Sequence, residues 1–192
     1  MKNALIFVLM IAFIAVLALR ERRDATDTPA GSPSVASDDP RRWSAFDLHR
    51  SGRQDKAILA YDALLLDNPR DAEILYYRGI AHWDLAQYLR AEEDFRALVV
   101  LDPGHFKAHQ HLDQLLSRTR RYDECIALWT GYTRILPGDP EGHYLRGWAR
   151  LRSGDDPGAH AGVARACELG KAEACRRAES LAERVKEGRP QR

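Results

Sequence analysis

A chain of 192 residues with 45% apolar content can fill one compact core and still carry a tail. Lys plus Arg number 29 against 28 Asp plus Glu, and the resulting charge of +1 gives no general electrostatic pull towards nucleic acid, whose binders usually show a basic face. Three cysteines, Cys125, Cys167 and Cys175, are too few for a disulfide-built scaffold, so ordinary hydrophobic packing must supply the core.

The first element in chain order is apolar. Asn3 to Leu19 is preceded by Met1-Lys2 and followed by Arg20-Glu21-Arg22-Arg23. As a helix it would span roughly 25 Å, the short end of a bilayer core. No small-residue cleavage site follows the run, and no cysteine ends it as a lipoprotein would require. Residues 1–23 are therefore expected to be an uncleaved single-pass transmembrane or signal-anchor helix rather than a cleaved signal peptide. Counting Lys and Arg alone would hold the rest of the chain in the cytoplasm. The signal-like N-terminus and the cysteine pair considered below point the other way, and an extracytoplasmic (periplasmic) domain at a cell envelope is the expectation. Residues 24–37, rich in Asp, Ser, Thr and Pro and free of aromatics, cannot bury enough surface to order themselves and read as a flexible linker.

A period of 34 residues then takes over. Ala57, Ala91, Cys125 and Ala159 fall on it, as do Tyr61, Phe95, Trp129 and Val163. So do Pro69, Pro103 and Pro137, and Ala45, Gly79, Asp113 and Gly147. The columns make sense as pairs of helices. Small residues let the two helices of a unit approach, and the bulky column fills space between one unit and the next. The prolines stand just past the second helix, where a missing N–H does no harm. Asp71 and Asp139 are placed to cap the helices that follow. Short polar turns, Ser51-Gly52-Arg53 and Ser153-Gly154-Asp155, separate paired helices.

At these residues the chain resembles the tetratricopeptide repeat family. The resemblance covers residues 38–170 as four units beginning near Asp38, Ala72, Phe106 and Pro140, and implies an all-α solenoid of helical hairpins. Asp113 departs from the Ala or Gly of its column, so the third unit is either looser or pairs that carboxylate locally. The fourth unit has Val163 for the aromatic and Lys171 for the proline. Residues 171–187 read as a capping helix, with Ala174, Ala178, Leu181, Ala182 and Val185 on one stripe, and residues 188–192 as a frayed tail.

Cys167 and Cys175 would lie near the end of one helix and the start of the next. Across a tight hairpin such positions can meet at disulfide distance, and the spacing is similar to that in cysteine-rich secreted αα-repeat proteins. Two small buried residues filling helix contacts are the alternative. Cys125 belongs to the small-residue column and reads as a buried thiol.

No nucleophile elbow, phosphate loop or zinc-protease motif is present. His105, His109 and His111 are close in sequence, but His111 points away from the other two, and His109 and His143 share a repeat position, which suggests packing. Neither enzyme activity, nor a cofactor, nor a metal is expected. Binding is. The family resemblance implies a concave groove lined by the first helix of each unit, with Arg42, Phe46, His49, Tyr76, Ile80, Trp83, Lys107, Gln110, Gln114, Tyr144 and Trp148 as partner-binding positions. Six of these are aromatic or large and apolar, more than a solvated face needs. Phe46, Ile80 and Gln114 stand where the family's chaperone-binding branch grips a carboxylate with Asn and Lys, which argues against that branch. The function expected is a membrane-tethered scaffold or assembly factor that holds a partner protein or peptide. The alternative is a structural subunit packed through its transmembrane helix in a larger membrane complex.

Overall fold

A computed structural model describes residues 39–187. Nine α-helices make up these residues: α1 Pro40–Arg50, α2 Gln54–Asp67, α3 Ala72–Asp84, α4 Tyr88–Leu101, α5 Phe106–Arg118, α6 Tyr122–Ile135, α7 Pro140–Ser153, α8 Asp156–Glu168 and α9 Ala172–Glu187. Each helix packs on the next, so the fold is a solenoid of four hairpins closed by α9.

The 34-residue period reaches down to single backbone angles. Gly52, Ala86, Arg120 and Gly154 occupy equivalent places in the four within-unit turns, and all four have positive φ, between 57° and 88°. In each turn the following N–H reaches back across the helix end, as from Arg53 to the Leu48 carbonyl and from Arg121 to the Leu116 carbonyl. Glycine adopts this left-handed conformation freely, whereas a side chain pays about 1–2 kcal/mol for it. Arg120 is exposed, with a φ of 58°. Arg120→Gly should therefore stabilise the chain by about 1 kcal/mol, after the added freedom of the unfolded glycine is set against the relieved strain. Urea midpoints of the two proteins check this, and an unchanged or lower midpoint contradicts it.

The turns between units work differently. Helix continuation stops at Pro69, Pro103 and Pro137, and the next residues cap the helix that follows. Asp71 accepts from the Ile74 N–H and Asp139 from the Glu141 N–H, as the sequence implied. His105 takes the equivalent place in the third unit, where its Nδ1 accepts from the Ala108 N–H.

The bulky column is buried throughout: Tyr61, Phe95, Trp129 and Val163 are all at most 1% exposed. Two members of the column meet a glycine of their own unit. A Cβ on Gly79 would lie 2.8 Å from the Phe95 ring, and one on Gly147 would lie 2.8 Å from Val163. Contact with the next unit exists as well, since Phe95 stacks on His111 at 5.0 Å. Asp113 is paired locally rather than loose. Its carboxylate accepts from the Trp129 indole N–H at 3.1 Å and from Arg152 at 3.0 and 3.1 Å. Trp129 is the one ring of the column that has an N–H to offer.

The last connection breaks the pattern. Lys171 replaces the proline, Gly170 has a φ of 96°, and the Lys171 N–H bonds the Ala166 carbonyl in the manner of a within-unit turn. So α9 follows α8 as a further hairpin, its Ala174 and Leu181 buried against the last unit. Cys167 and Cys175 are joined across this hairpin, with Cα atoms 4.7 Å apart. Cross-linking so short a loop limits the unfolded chain by roughly 2.5 kcal/mol. Reduction, or replacement of both cysteines by serine, should lower the urea midpoint accordingly. Cys125, buried with its thiol pushed up to about 11 by that burial, should resist alkylation until the domain unfolds. Equal midpoints with and without reductant would remove the bridge from the account.

The membrane expectation is corrected. Among the described residues no helix is long and apolar enough to cross a membrane. The segments that carried the expectation, residues 1–23 and the linker 24–37, lie outside the described residues, as does the tail 188–192. The single-pass, extracytoplasmic placement therefore has no support in the fold.

Candidate partner-binding site

On α1, Ala45 and Leu48 face the core, while Trp43, Phe46, Asp47 and Arg50 form an i, i+3, i+4, i+7 stripe beside them. On α3 the matching face carries Tyr76, Tyr77 and Ile80. The two stripes, together with His49, Tyr61 and Lys107, line one concavity of about 540 Å³. Its walls are rings in contact: Phe46 lies 4.7 Å from Tyr77 and 6.1 Å, edge-on, from Trp43. Tyr76 and Tyr77 meet edge to face at 5.5 Å. Such T-shaped and tilted contacts are the favoured ones between aromatic quadrupoles.

Tyr61 forms the floor. Its hydroxyl shares a hydrogen bond with His49 Nδ1 at 3.3 Å, and His49 Nε2 reaches Asp84 at 3.2 Å. Burial raises the Tyr61 and Tyr76 phenols above their ordinary range, so both stay neutral donors. Trp43 and Tyr77 remain 63% and 36% exposed, respectively, the reverse of what a core ring shows. At the rim stand Arg50 and Lys107, neither of which forms an ion pair among the described residues, with Asp47 opposite in sign.

Of the expected positions, the structure brings Phe46, His49, Tyr76, Ile80 and Lys107 together in this concavity. Arg42 is not there. It is buried, with its guanidinium on Asp71 and Glu73, and so clamps α1 to the start of α3 instead of facing a partner. Trp83 packs on Tyr88 and His111, at 5.7 and 5.6 Å, outside the concavity. Gln110 is half-buried and Gln114 exposed, and neither lines it. Tyr144 and Trp148 belong to a separate hollow of about 250 Å³ shared with α9. There the Tyr144 hydroxyl donates to Glu173 at 2.9 Å, and the Arg177 guanidinium lies over the Trp148 ring at 4.5 Å. Trp43, Tyr77, Asp47 and Arg50 are the site residues that the sequence reading missed. Their signal was the helical stripe itself, rotated by one residue from the positions the family resemblance implied.

The histidines serve packing. His105 caps α5, His109 donates from Nδ1 to the His105 carbonyl at 3.1 Å, and His111 stacks on Phe95. Burial lowers the pKa of both His109 and His111, which keeps them neutral near pH 7. Among the described residues no group of three His, Cys, Asp or Glu side chains could hold a metal ion.

Comparison with known proteins agrees with the repeat fold. The tetratricopeptide repeat family model matches residues 47–106. A tetratricopeptide repeat and J domain-containing co-chaperone of Fusarium oxysporum is 28% identical over 120 residues, which is 62% of this chain and 22% of that protein. The chain thus spans under a quarter of that relative's length. Among solved structures, a double mutant of MamA from strain RS-1 superposes with a TM-score of 0.62 at 22% identity, covering 76% of this chain and 83% of that one. MamA from Desulfovibrio magneticus RS-1 superposes at 0.56 with 21% identity, over 77% of this chain and 92% of that one. These structural likenesses concern the fold.

Proposed function

We propose, for a chain that belongs to the tetratricopeptide repeat family, that the α1–α3–α5 concavity is where this protein holds a partner polypeptide. The observation that carries the reading is a cluster of six large aromatic and aliphatic side chains around an open hollow, two of them left substantially exposed by the fold. Burying such rings costs little entropy per area gained, and aromatic anchors dominate binding energy where they are desolvated. A protein as the partner class is supported also by the co-chaperone relative.

The chain acts as a scaffold and not as an enzyme in this reading. Rigid repeats present a preformed surface, so a partner pays for its own ordering alone. Arg50 and Lys107 at the rim favour a peptide with an apolar anchor flanked by acidic residues. The test is to select peptides from a random display library on the wild-type chain, then measure their affinity for a variant lacking Trp43 and Tyr77. The expected loss is argued in the Discussion.

A further inference from the structure

Arg78 and Arg146 occupy the same place in the second and fourth units, two 34-residue periods apart. In the second unit carboxylates hold the guanidinium. Arg78 Nε and Nη2 donate to Asp94 at 3.0 and 2.5 Å, and Nη1 donates to Asp62 at 2.7 Å. Two periods on from Asp62 stands Thr130, and two periods on from Asp94 stands Gly162. Both acids have gone, and the arginine has stayed.

Arg146 makes do with neutral partners. It donates to Thr133 Oγ1 at 3.1 Å and to His143 Nδ1 at 3.2 Å, and its buried Nε has no hydrogen-bond partner among the described residues. Among the described residues no carboxylate forms an ion pair with it. Burial and the charge of Arg150, one turn further along α7, together lower its affinity for its own proton. A partly desolvated cation left without a counter-charge is costly, and here a second cation adds to it. Arg150 cannot be the relief, and its nearest acid, Asp155, stands 3.8 Å away while capping α8 through the Gly158 N–H. The loss of an acid at position 162 has a steric cause. A Cβ there would lie 2.9 Å from the Gly147 Cα, so no side chain fits where α7 and α8 touch.

We propose that the Nη edge of Arg146, with Arg150 one turn on, forms a binding site for one compact oxyanion, a phosphate monoester or a carboxylate, that takes the place Asp62 holds on Arg78. The guanidinium fork suits either group, because both present two oxygens at matching separation. Thr130, where Asp62 stands in the second unit, brings no carboxylate to that edge. None of these residues lines the aromatic concavity, so the site is independent of the function proposed above.

Thermal unfolding of the full chain at fixed ionic strength tests this, with chloride replaced stepwise by inorganic phosphate in one arm and by acetate in the other. A saturable rise in Tm of about 2–4 °C is expected in at least one arm. Phosphate alone would assign a phosphate monoester, and acetate a carboxylate. Arg146→Gln should abolish the rise. Thr130→Asp, which restores an internal acid at the Asp62 position, should raise Tm in chloride and likewise remove the response. No saturable rise in either arm, or a rise that Arg146→Gln retains, overturns the proposal.

Discussion

Trp129→Ala is expected to cost the domain about 3–5 kcal/mol, the largest loss available from a single side chain here. The ring is wholly buried and sits among Phe106, His109 and Tyr132, with centroids 5.8, 5.7 and 5.5 Å away. Removing it opens a cavity that the rigid hairpin cannot collapse to fill. It also removes the indole N–H from Asp113, a buried carboxylate that then depends on Arg152 alone. Trp129→Phe separates the two effects. It keeps most of the volume and loses only the donor, so about 1–3 kcal/mol is expected for it. Equilibrium urea unfolding measures both. A loss under about 1 kcal/mol for the alanine variant would mean that the third unit is not packed as described.

Trp43→Ala combined with Tyr77→Ala should weaken capture of a selected peptide by at least about tenfold, equivalent to roughly 1.4 kcal/mol, while leaving the melting temperature nearly unchanged. A well-seated aromatic anchor is worth about 2 kcal/mol or more, and the pair stands on two neighbouring helices, so one bound segment can bury both rings. Little stability is at stake, because Trp43 is 63% and Tyr77 36% exposed in the free protein. The contrast is Tyr144→Ala with Trp148→Ala. These rings are engaged by Glu173 and Arg177 of α9, so their loss should loosen α9 and leave peptide capture intact. Isothermal titration on the folded variants decides the matter. Peptides that bind the Trp43/Tyr77 variant as tightly as the parent would move the partner site off this concavity.

Much of the fold was legible before any coordinates because a repeat stack is close to one-dimensional. Each unit touches mainly its neighbours, so a period of 34 and four residue columns specify nearly every contact class. The expected units at Ala72, Phe106 and Pro140 begin where α3, α5 and α7 begin. Capping by Asp71 and Asp139 was legible for the same reason, since a cap is a local bond two or three residues long. The cap at His105 was not, because histidine is an unusual cap and only the repeat register marks it.

The site was less legible. Sequence by itself determined the hairpin period and the buried ring column, whereas the groove-facing first helices were implied only by the family resemblance. Tertiary structure alone decided which side chains of those helices stay available. Arg42 was lost to the hollow because the acids of a neighbouring helix, Asp71 and Glu73, bind it more strongly than water does. Tyr144 and Trp148 were taken up by α9, whose Glu173 and Arg177 arrive through a hairpin closed near Gly170 and bridged by Cys167 and Cys175. Trp43 and Tyr77 stay partly open because none of the described helices covers them fully. The physical reason is the same in each case. Periodicity fixes the direction of a side chain from its own helix, whereas exposure depends on charges and rings brought from other helices, and those meet only when the chain is folded.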